Sequence, residues 1–403
     1  MQSKKIQFTN QAGETLSARL DLPVNQHPHT YVLFAHCFTC NKNLTAVRNI
    51  SRALTIEGFA VFRFDFTGLG ESEGEFADTN FSSNVQDLIE AAEMLAQEYK
   101  APAILVGHSL GGTAVIKAAA ALDFVQAVVT IGSPFSPTHV SHLFAEEIDT
   151  IKEEGLAEVN IGGRPFTVKK QFLEDIKEKT LANTLRNLRK PLLIMHSPQD
   201  RTVEIENAAK IYDAAFHPKS FVTLDGADHL LTNKADSLYA GDMIASWAKR
   251  YIDLPEKEKL KVEKDVAIRL GNEGYTTDIM VGKHGLTADE PIEVGGNEFG
   301  PTPYDLVSAG LGACTAMTLQ MYARRKKWDL QEVNVQLSHS KDYVDDQSRL
   351  EEAKSKIDHF ERTIQLEGNL DDEQKARLLE IADRCPVHRT LHSDIKVSTR
   401  LKP

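Results

Sequence analysis

Six short apolar runs, each followed by a longer stretch of helical period, set most of what this chain can become. They are YVLFA (31–35), AVFRFD (60–65), AILVG (103–107), AVVTI (127–131), PLLIMH (191–196) and SFVTLD (220–225). Runs this short read as strands buried on both faces, with the helical stretches as crossovers. The fold class that follows is α/β, a doubly wound and mostly parallel sheet. Ahead of the first run, KIQFTN and TLSARLDL alternate polar and apolar residues, which predicts an antiparallel edge hairpin. Residues 133–187, including HVSHLF and RPFTVKKQFLEDI, interrupt the alternation. They are too long for a plain connection and predict a helical cap over the strand ends.

The pattern stops near Tyr251, and LPEKEKLKVEKD (254–265) is charged and lacks an apolar face. We therefore read a first domain at 1–252, a linker at 253–264 and a second domain at 265–403, as a chain of this length leads one to expect. The second domain has a different grammar. VAIRL and TTDIMV read as strands, and PYDLVSAGLGACTAMTLQMYARR (303–325) as a long helix, apolar on nearly every face and so buried. Strands follow near 331–339 and 356–366, then a helix at 370–384, the segment CPVHRTL and a closing strand DIKVSTRL. This is α+β around a central helix.

Several functional classes are disfavoured. A net charge of −12 argues against a nucleic-acid partner, whose phosphates attract basic surfaces. No stretch reaches the roughly 18 consecutive apolar residues of a spanning helix, and MQSKKIQFTN lacks a signal-peptide core. Four cysteines in 403 residues are too few for a disulfide scaffold; the cytoplasm is the expected compartment, with any thiol chemistry catalytic or sensing.

The first such chemistry lies in ILVGHSLGGTAV (104–115), where Gly107-His108-Ser109-Leu110-Gly111 sits at a strand-to-helix turn. A nucleophile elbow holds its serine in a strained conformation and needs small residues on either side. HSPQDRTV places Asp200 just past one later strand, and LDGADHLL places His229 just past the next. Ser, Asp, His is the chain order of α/β-hydrolases, which this half resembles. His229 would take the proton of Ser109, and Asp200 would fix the imidazole tautomer. Asp225 and Asp228 are the alternative carboxylates, but both lie too close to His229 in sequence. HCFTC (36–40) follows the first parallel strand, where this fold supplies an oxyanion donor; the N–H groups of Phe38 and Leu110 are the candidates. Cys37 stands where most relatives have glycine. With Cys40 it has redox-dithiol spacing without a helix start, and we favour small residues shaping the loop over a redox pair. The glycines of FDFTGLGES (64–72) read as structural, since the spacing is not a P-loop and no lysine follows.

The second chemistry involves the other two cysteines. Cys314 lies mid-helix in AGLGACTAMTL, where Gly310 and Gly312 suggest close packing of another backbone. Cys385 precedes a proline suited to a helix start, a setting that favours a thiolate, with Arg384, His388 and Arg389 nearby. The bland reading is two buried cysteines. Metal templates can be drawn from His388 with His392, or from Cys37-x-x-Cys40 with Cys385-x-x-His388, but the first lacks carboxylates and the second needs two domains; no metal is expected.

GPTPYDLVSAGLGACTAMTLQMYARRKKW and LLEIADRCPVHRTL resemble the OsmC/Ohr family of thiol peroxidases. The whole chain resembles the α/β-hydrolase/OsmC fusion proteins. The resemblance implies that Cys314 attacks an organic hydroperoxide and that Cys385 resolves the sulfenic acid as a disulfide. It implies an external dithiol reductant, no other cofactor, and an intertwined homodimer through this domain. Where many relatives have an activating Glu the chain has Tyr304; Asp305 is the substitute and Arg269 the candidate arginine. The expected function is hydrolysis of an acyl ester joined to reduction of organic hydroperoxides. The alternatives are an esterase with a non-catalytic OsmC-like module, or a peroxidase with a substrate-binding hydrolase fold.

Overall fold

The computed structural model describes residues 2–23, 28–177, 181–252, 260–271, 274–296, 298–343 and 356–401. The chain divides into two compact units, Met1–Lys259 and Leu260–Pro403. Most of the linker expected at 253–264 lies outside the described residues.

In the first unit every expected strand forms. These are β1 (Gln2–Thr9), β2 (Thr15–Leu22), β3 (Tyr31–Ala35), β4 (Ala60–Phe64), β5 (Pro102–His108) and β6 (Ala127–Ile131). After a separate hairpin, β7 (Leu156–Ile161) and β8 (Arg164–Lys169), come β9 (Leu192–His196) and β10 (Lys219–Thr223). The eight-stranded sheet runs β1-β2-β4-β3-β5-β6-β9-β10. Its first two strands pair antiparallel and β2 meets β4 antiparallel; all further neighbours are parallel. The helices of this unit are α1 (Thr45–Ile56), α2 (Phe81–Glu98), α3 (Leu110–Ala121), α4 (Ile148–Glu154), α5 (Lys170–Lys177), α6 (Ala182–Asn187), α7 (Glu206–Ala214) and α8 (Lys234–Tyr251).

The pleat explains why the strands read as unbroken apolar runs. On β3, Val32 and Phe34 pack with α1 and α8 residues such as Ile50 and Ile244, while Leu33 and Ala35 pack with α2 and α3 through Leu88 and Val115. Both faces are covered, so both parities must be apolar. Each fully buried side chain of this size contributes about 1.5–3 kcal/mol relative to exposure.

The cap differs from the expected one. Besides a 3-10 stretch (Pro137–Glu147), α4, α5 and α6, it contains the antiparallel hairpin β7–β8. LAEVNI buries Ala157, Val159 and Ile161 and exposes the residues between them, which is strand period. Gly162 and Gly163 have φ of +60° and +80°, conformations that a two-residue hairpin turn of the tight kind requires.

The second unit holds a three-stranded antiparallel sheet of β11 (Val266–Leu270), β12 (Thr277–Val281) and β13 (His284–Ala288). Then come α9 (Pro303–Lys326), a long antiparallel pair β14 (Asp329–Tyr343) and β15 (Lys356–Asn369), α10 (Asp372–Ala382) and α11 (Pro386–Leu391). Leu319 and Ala323 of α9 pack with Leu378 and Ile381 of α10.

Three expectations fail here. α9 buries a single face (Leu311, Gly312, Thr315, Leu319, Ala323), leaving Met317 and Met321 65% and 71% exposed. A side chain at Gly310 would meet nothing within 4 Å, and one at Gly312 would meet the Leu337 side chain rather than a backbone. Residues 394–401 form no strand, with Ile395 and Val397 exposed.

A buried ion pair ties the segment after β3 to the end of β4. Lys42 Nζ lies 2.5 Å from Asp65 Oδ2, both side chains being 1% exposed. The Lys42 N–H donates to Asp65 Oδ1 at 2.6 Å, and Arg63, itself paired with Asp21, donates to the Lys42 carbonyl. Removing one member strands a buried charge, so Asp65→Ala should destabilise the protein by about 3–5 kcal/mol. Urea denaturation will measure this; a loss below about 1 kcal/mol would show that the pair is not a structural anchor.

Candidate active site

Ser109 sits between β5 and α3 with φ +55° and ψ −126°, a conformation that a side-chain-bearing residue adopts only when its surroundings force it. The glycines around it are what make the turn fit. A Cβ on Gly107 would come within 2.3 Å of the Gly111 carbonyl oxygen, and one on Gly111 within 2.4 Å of the His36 carbonyl oxygen. The helix start is therefore pressed against both its own strand and the end of β3. The Ser109 N–H is secured to the Ile131 carbonyl at 2.8 Å.

The loops after β9 and β10 converge on this serine. His229 Nε2 lies 3.0 Å from Ser109 Oγ, and His229 Nδ1 lies 2.7 Å from Asp200 Oδ2. Asp200 Oδ1 accepts the N–H groups of Thr202 and Val203 at 2.8 and 2.9 Å. Burial opposes the charge on Asp200, but the His229 ring and these two N–H groups outweigh it and hold the carboxyl below its usual range. An ionised Asp200 fixes the proton on Nδ1 and leaves Nε2 as the base toward Ser109. Asp228 is engaged elsewhere, accepting the N–H groups of Leu230 and Thr232. Gly132 (φ +54°) packs beneath the pair, where a Cβ would come 3.3 Å from Asp200 Oδ2 and 3.4 Å from His229 Nδ1.

Phe38 lines the same cleft as Ser109 and Leu110 follows Ser109 at the start of α3, and among the described residues no protein acceptor takes either N–H. The loop that carries Phe38 departs from expectation: Cys37 and Cys40 form a disulfide, with Cα atoms 5.3 Å apart. A turn closed by the Cys40 N–H on the Cys37 carbonyl (3.1 Å) brings the two side chains together, which the spacing alone did not require. The glycines of FDFTGLGES are structural, as read: a Cβ on Gly70 would fall 2.2 Å from the Asp65 carboxylate. A cleft of about 670 Å³ opens over Ser109 and His229, walled by the 36–45 loop and by cap residues including Val140, Leu143 and Ile161.

Sequence reasoning missed the histidines beneath the site. His108 Nε2 donates to the His229 carbonyl at 2.6 Å, and His196 Nε2 to the Val203 carbonyl at 2.7 Å, bracketing the triad. His36 Nδ1 donates to the Cys37 carbonyl at 2.8 Å. The other nitrogen of each ring is buried with no partner among the described residues. Adjacency to motif residues was the available signal, since His108 and His36 lie inside the quoted motifs.

In the second unit, Cys385 is fully buried at the N-cap of α11, where its sulfur accepts the His388 N–H at 3.3 Å. It lies 3.7 Å from Thr315 Oγ1, the residue after Cys314 on α9. Cys314 is partly exposed, and both thiols are unpaired. The expected pairing of Arg269 with Asp305 is not formed within the chain. Arg269 bonds Asp278 directly opposite on β12 (3.0 Å), and Asp305 closes a capping box with Thr302 at the start of α9. The arginine that reaches the cysteine region is Arg362, which donates to Thr315 Oγ1 at 2.8 Å and to Asp383 at 2.7 Å. Its signal was an arginine on the inward parity of β15, between Phe360 and Ile364. His388 and His392 lie ring to ring at 4.4 Å.

Burial, first of all, lowers the pKa of His36, His108 and His196, that of His108 to about 3. The unfolded chain takes up these protons near pH 6.5 while the native state resists them, so native stability should rise with pH between about 3 and 6.5. Thermal melts across that window will read the slope. His108→Gln, which can still donate to the His229 carbonyl, should flatten it; an unchanged slope would show that His108 binds its proton in the native state.

Two family models match the chain: serine aminopeptidase, S33, over residues 26–181, and OsmC-like protein over residues 295–400. The palmitoyl-protein thioesterase ABHD10, mitochondrial, of Mus musculus is 26% identical over 216 residues, covering 51% of this chain and 70% of that protein. Its Homo sapiens counterpart is 25% identical over 210 residues, covering 47% of this chain and 65% of that protein. The solved esterase domain of a Rhodothermus marinus protein is 49% identical, with a TM-score of 0.52, covering 62% of this chain and 99% of that one. Mouse ABHD10 shares the fold at 21% identity and a TM-score of 0.52. The chain belongs to the α/β-hydrolases, and an OsmC-like domain follows its hydrolase domain.

Proposed function

We propose that the first unit hydrolyses an ester-like acyl substrate through an acyl-Ser109 intermediate, and that the second reduces organic hydroperoxides through Cys314 and Cys385. The observation that carries the first half is the continuous Asp200–His229–Ser109 relay at 2.7 and 3.0 Å on a strained elbow. His229 accepts the serine proton as Oγ attacks the acyl carbon. The N–H groups of Phe38 and Leu110 receive the oxyanion, and His229 then protonates the leaving group. Water repeats the sequence on the acyl-enzyme. The esterase domain at 49% identity supports an ester substrate, and the thioesterases named above support a thioester as its close relative.

The second half rests on the OsmC-like match and on Cys385 lying against the turn of α9 that carries Cys314. Attack of the Cys314 thiolate on the distal peroxide oxygen releases alcohol and leaves a sulfenic acid. Condensation with the Cys385 thiol then expels water and forms a disulfide, which an external dithiol reduces. No metal is used. The exposed Met317–Met321 face of α9 supports a homodimer through this unit. No helix among the described residues is long and apolar enough to cross a membrane. We assign the chain to the cytoplasm, as its sparse cysteines suggest, with no nucleic-acid partner. The absence of an Arg269–Asp305 pair within the chain favours a second reading, in which the OsmC-like unit is a non-catalytic dimerisation module.

Assaying an aryl ester and an alkyl hydroperoxide in parallel separates these readings. Ser109→Ala should lose ester turnover by at least about 10⁴-fold and keep peroxide reduction; ester turnover near the wild-type rate would remove Ser109 from the mechanism. Cys314→Ser should do the reverse.

Peroxide-treated protein should show a Cys314–Cys385 disulfide by mass spectrometry, and Cys385→Ser should stall at the sulfenic acid and drift to over-oxidised forms. Peroxide consumption with Cys314 still a thiol would favour the module reading.

A further inference from the structure

The donor that most needs positioning is the Phe38 N–H, because it sits on a loop and not at the start of a helix. Its turn is held at three places. Upstream, His36 follows directly from β3. Downstream, Lys42 is buried against Asp65. In the middle, the Cys37–Cys40 disulfide and the Cys40 N–H on the Cys37 carbonyl close the turn, while Thr39 has φ +62°, the left-handed region that β-branched residues avoid.

A further hold on the middle comes from the cap. Arg164, the first residue of β8 after the Gly162–Gly163 turn, reaches across to donate from Nη2 to the Thr39 carbonyl at 2.5 Å. Its guanidinium also lies 5.5 Å from the Phe166 ring centre. Phe166 packs on Phe76 at 5.0 Å, and Phe76 packs on Phe38 at 5.6 Å. From α5, Phe172 stacks on Phe38 at 5.4 Å. The cap therefore grips the turn by its carbonyl and by its aromatic ring.

We propose that Arg164 is a positioning residue: through Thr39 it sets the Phe38 N–H where the oxyanion develops, making oxyanion stabilisation depend on the cap hairpin being in place. The inference rests on the hydrolase reading above and adds the coupling. Arg164 also lines the cleft, so it could instead bind an anionic group on the substrate. The two roles predict different kinetics. A donor misplaced by a fraction of an ångström weakens transition-state binding and spares ground-state binding. A lost substrate ligand raises KM for anionic substrates.

The test is steady-state kinetics of the full chain with a neutral aryl ester and its ω-carboxylate analogue, for wild type, Arg164→Ala and Arg164→Lys. Affinity for a trifluoromethyl ketone, whose hemiketal occupies the oxyanion position, is measured alongside. Arg164→Ala should lower kcat about tenfold on both esters with KM within about twofold, less than the 10²–10³-fold of deleting a donor outright. It should weaken the ketone by a matching factor. Arg164→Lys, which keeps one N–H donor for the Thr39 carbonyl, should recover much of the loss, and circular dichroism of both variants should match wild type. Losses confined to the carboxylate ester and to KM would make Arg164 a substrate ligand. An unchanged kcat in both variants, with ketone affinity intact, would leave the Thr39 bond without a catalytic role. A wild type inert to both esters and to a fluorophosphonate would overturn the hydrolase reading itself, and the positioning role with it.

Discussion

The left-handed backbone of Ser109 is the constraint on which the rest of the first unit is arranged. A strained residue costs about 1–3 kcal/mol and persists only if its surroundings offer nothing better. Here they do not. Gly107 and Gly111 let the strand end, the helix start and the end of β3 approach to distances that any Cβ would block. The apolar contacts of β5 and α3, buried almost throughout, hold that approach in place. What results is a hydroxyl at the floor of a cleft, with a helix N-terminus behind it and His229 3.0 Å away.

Everything else at the site answers to that fixed point. Asp200 is kept ionised by two backbone N–H groups and the His229 ring, although it is buried. His108 and His196 act from below as neutral donors to the carbonyls of His229 and Val203, so the triad loops are tied to the sheet at two more points. The cost is a set of buried imidazole nitrogens without partners among the described residues, tolerable only while the rings stay neutral. The 36–43 loop is anchored differently, by a buried lysine, a disulfide and an arginine from the cap.

The second unit has the opposite character. Its core is small, and much apolar surface, along α9 and in the 394–401 segment, faces outward in the single chain. The same helix that supplies Thr315 to the Cys385 environment presents methionines to solvent on another face. A helix apolar all round has one use in an isolated small unit and another in an assembly, and its sequence is the same in either case.

The amino-acid sequence by itself determined the strand segments of the first unit, the edge hairpin, the elbow and the chain order of Ser109, Asp200 and His229, because these depend on local period and on residue types with few alternative uses. It also placed Cys385 at a helix start, through the proline that follows it. Tertiary structure alone decided what no local pattern encodes. The Cys37–Cys40 bond depended on how the turn between the two residues closes, which their spacing does not fix. The cap hairpin is a different case, legible in the strand period and Gly-Gly turn of LAEVNIGGRPFTVK but lying in a segment read for its helices. Arg269 and Asp305 found nearer partners in Asp278 and Thr302, whereas Arg362 reached Thr315, beside Cys314 in the chain, because antiparallel pairing of β15 aims it inward. Periodicity reports which face of an element is buried; which charge meets which depends on distances between elements, and only packing sets those.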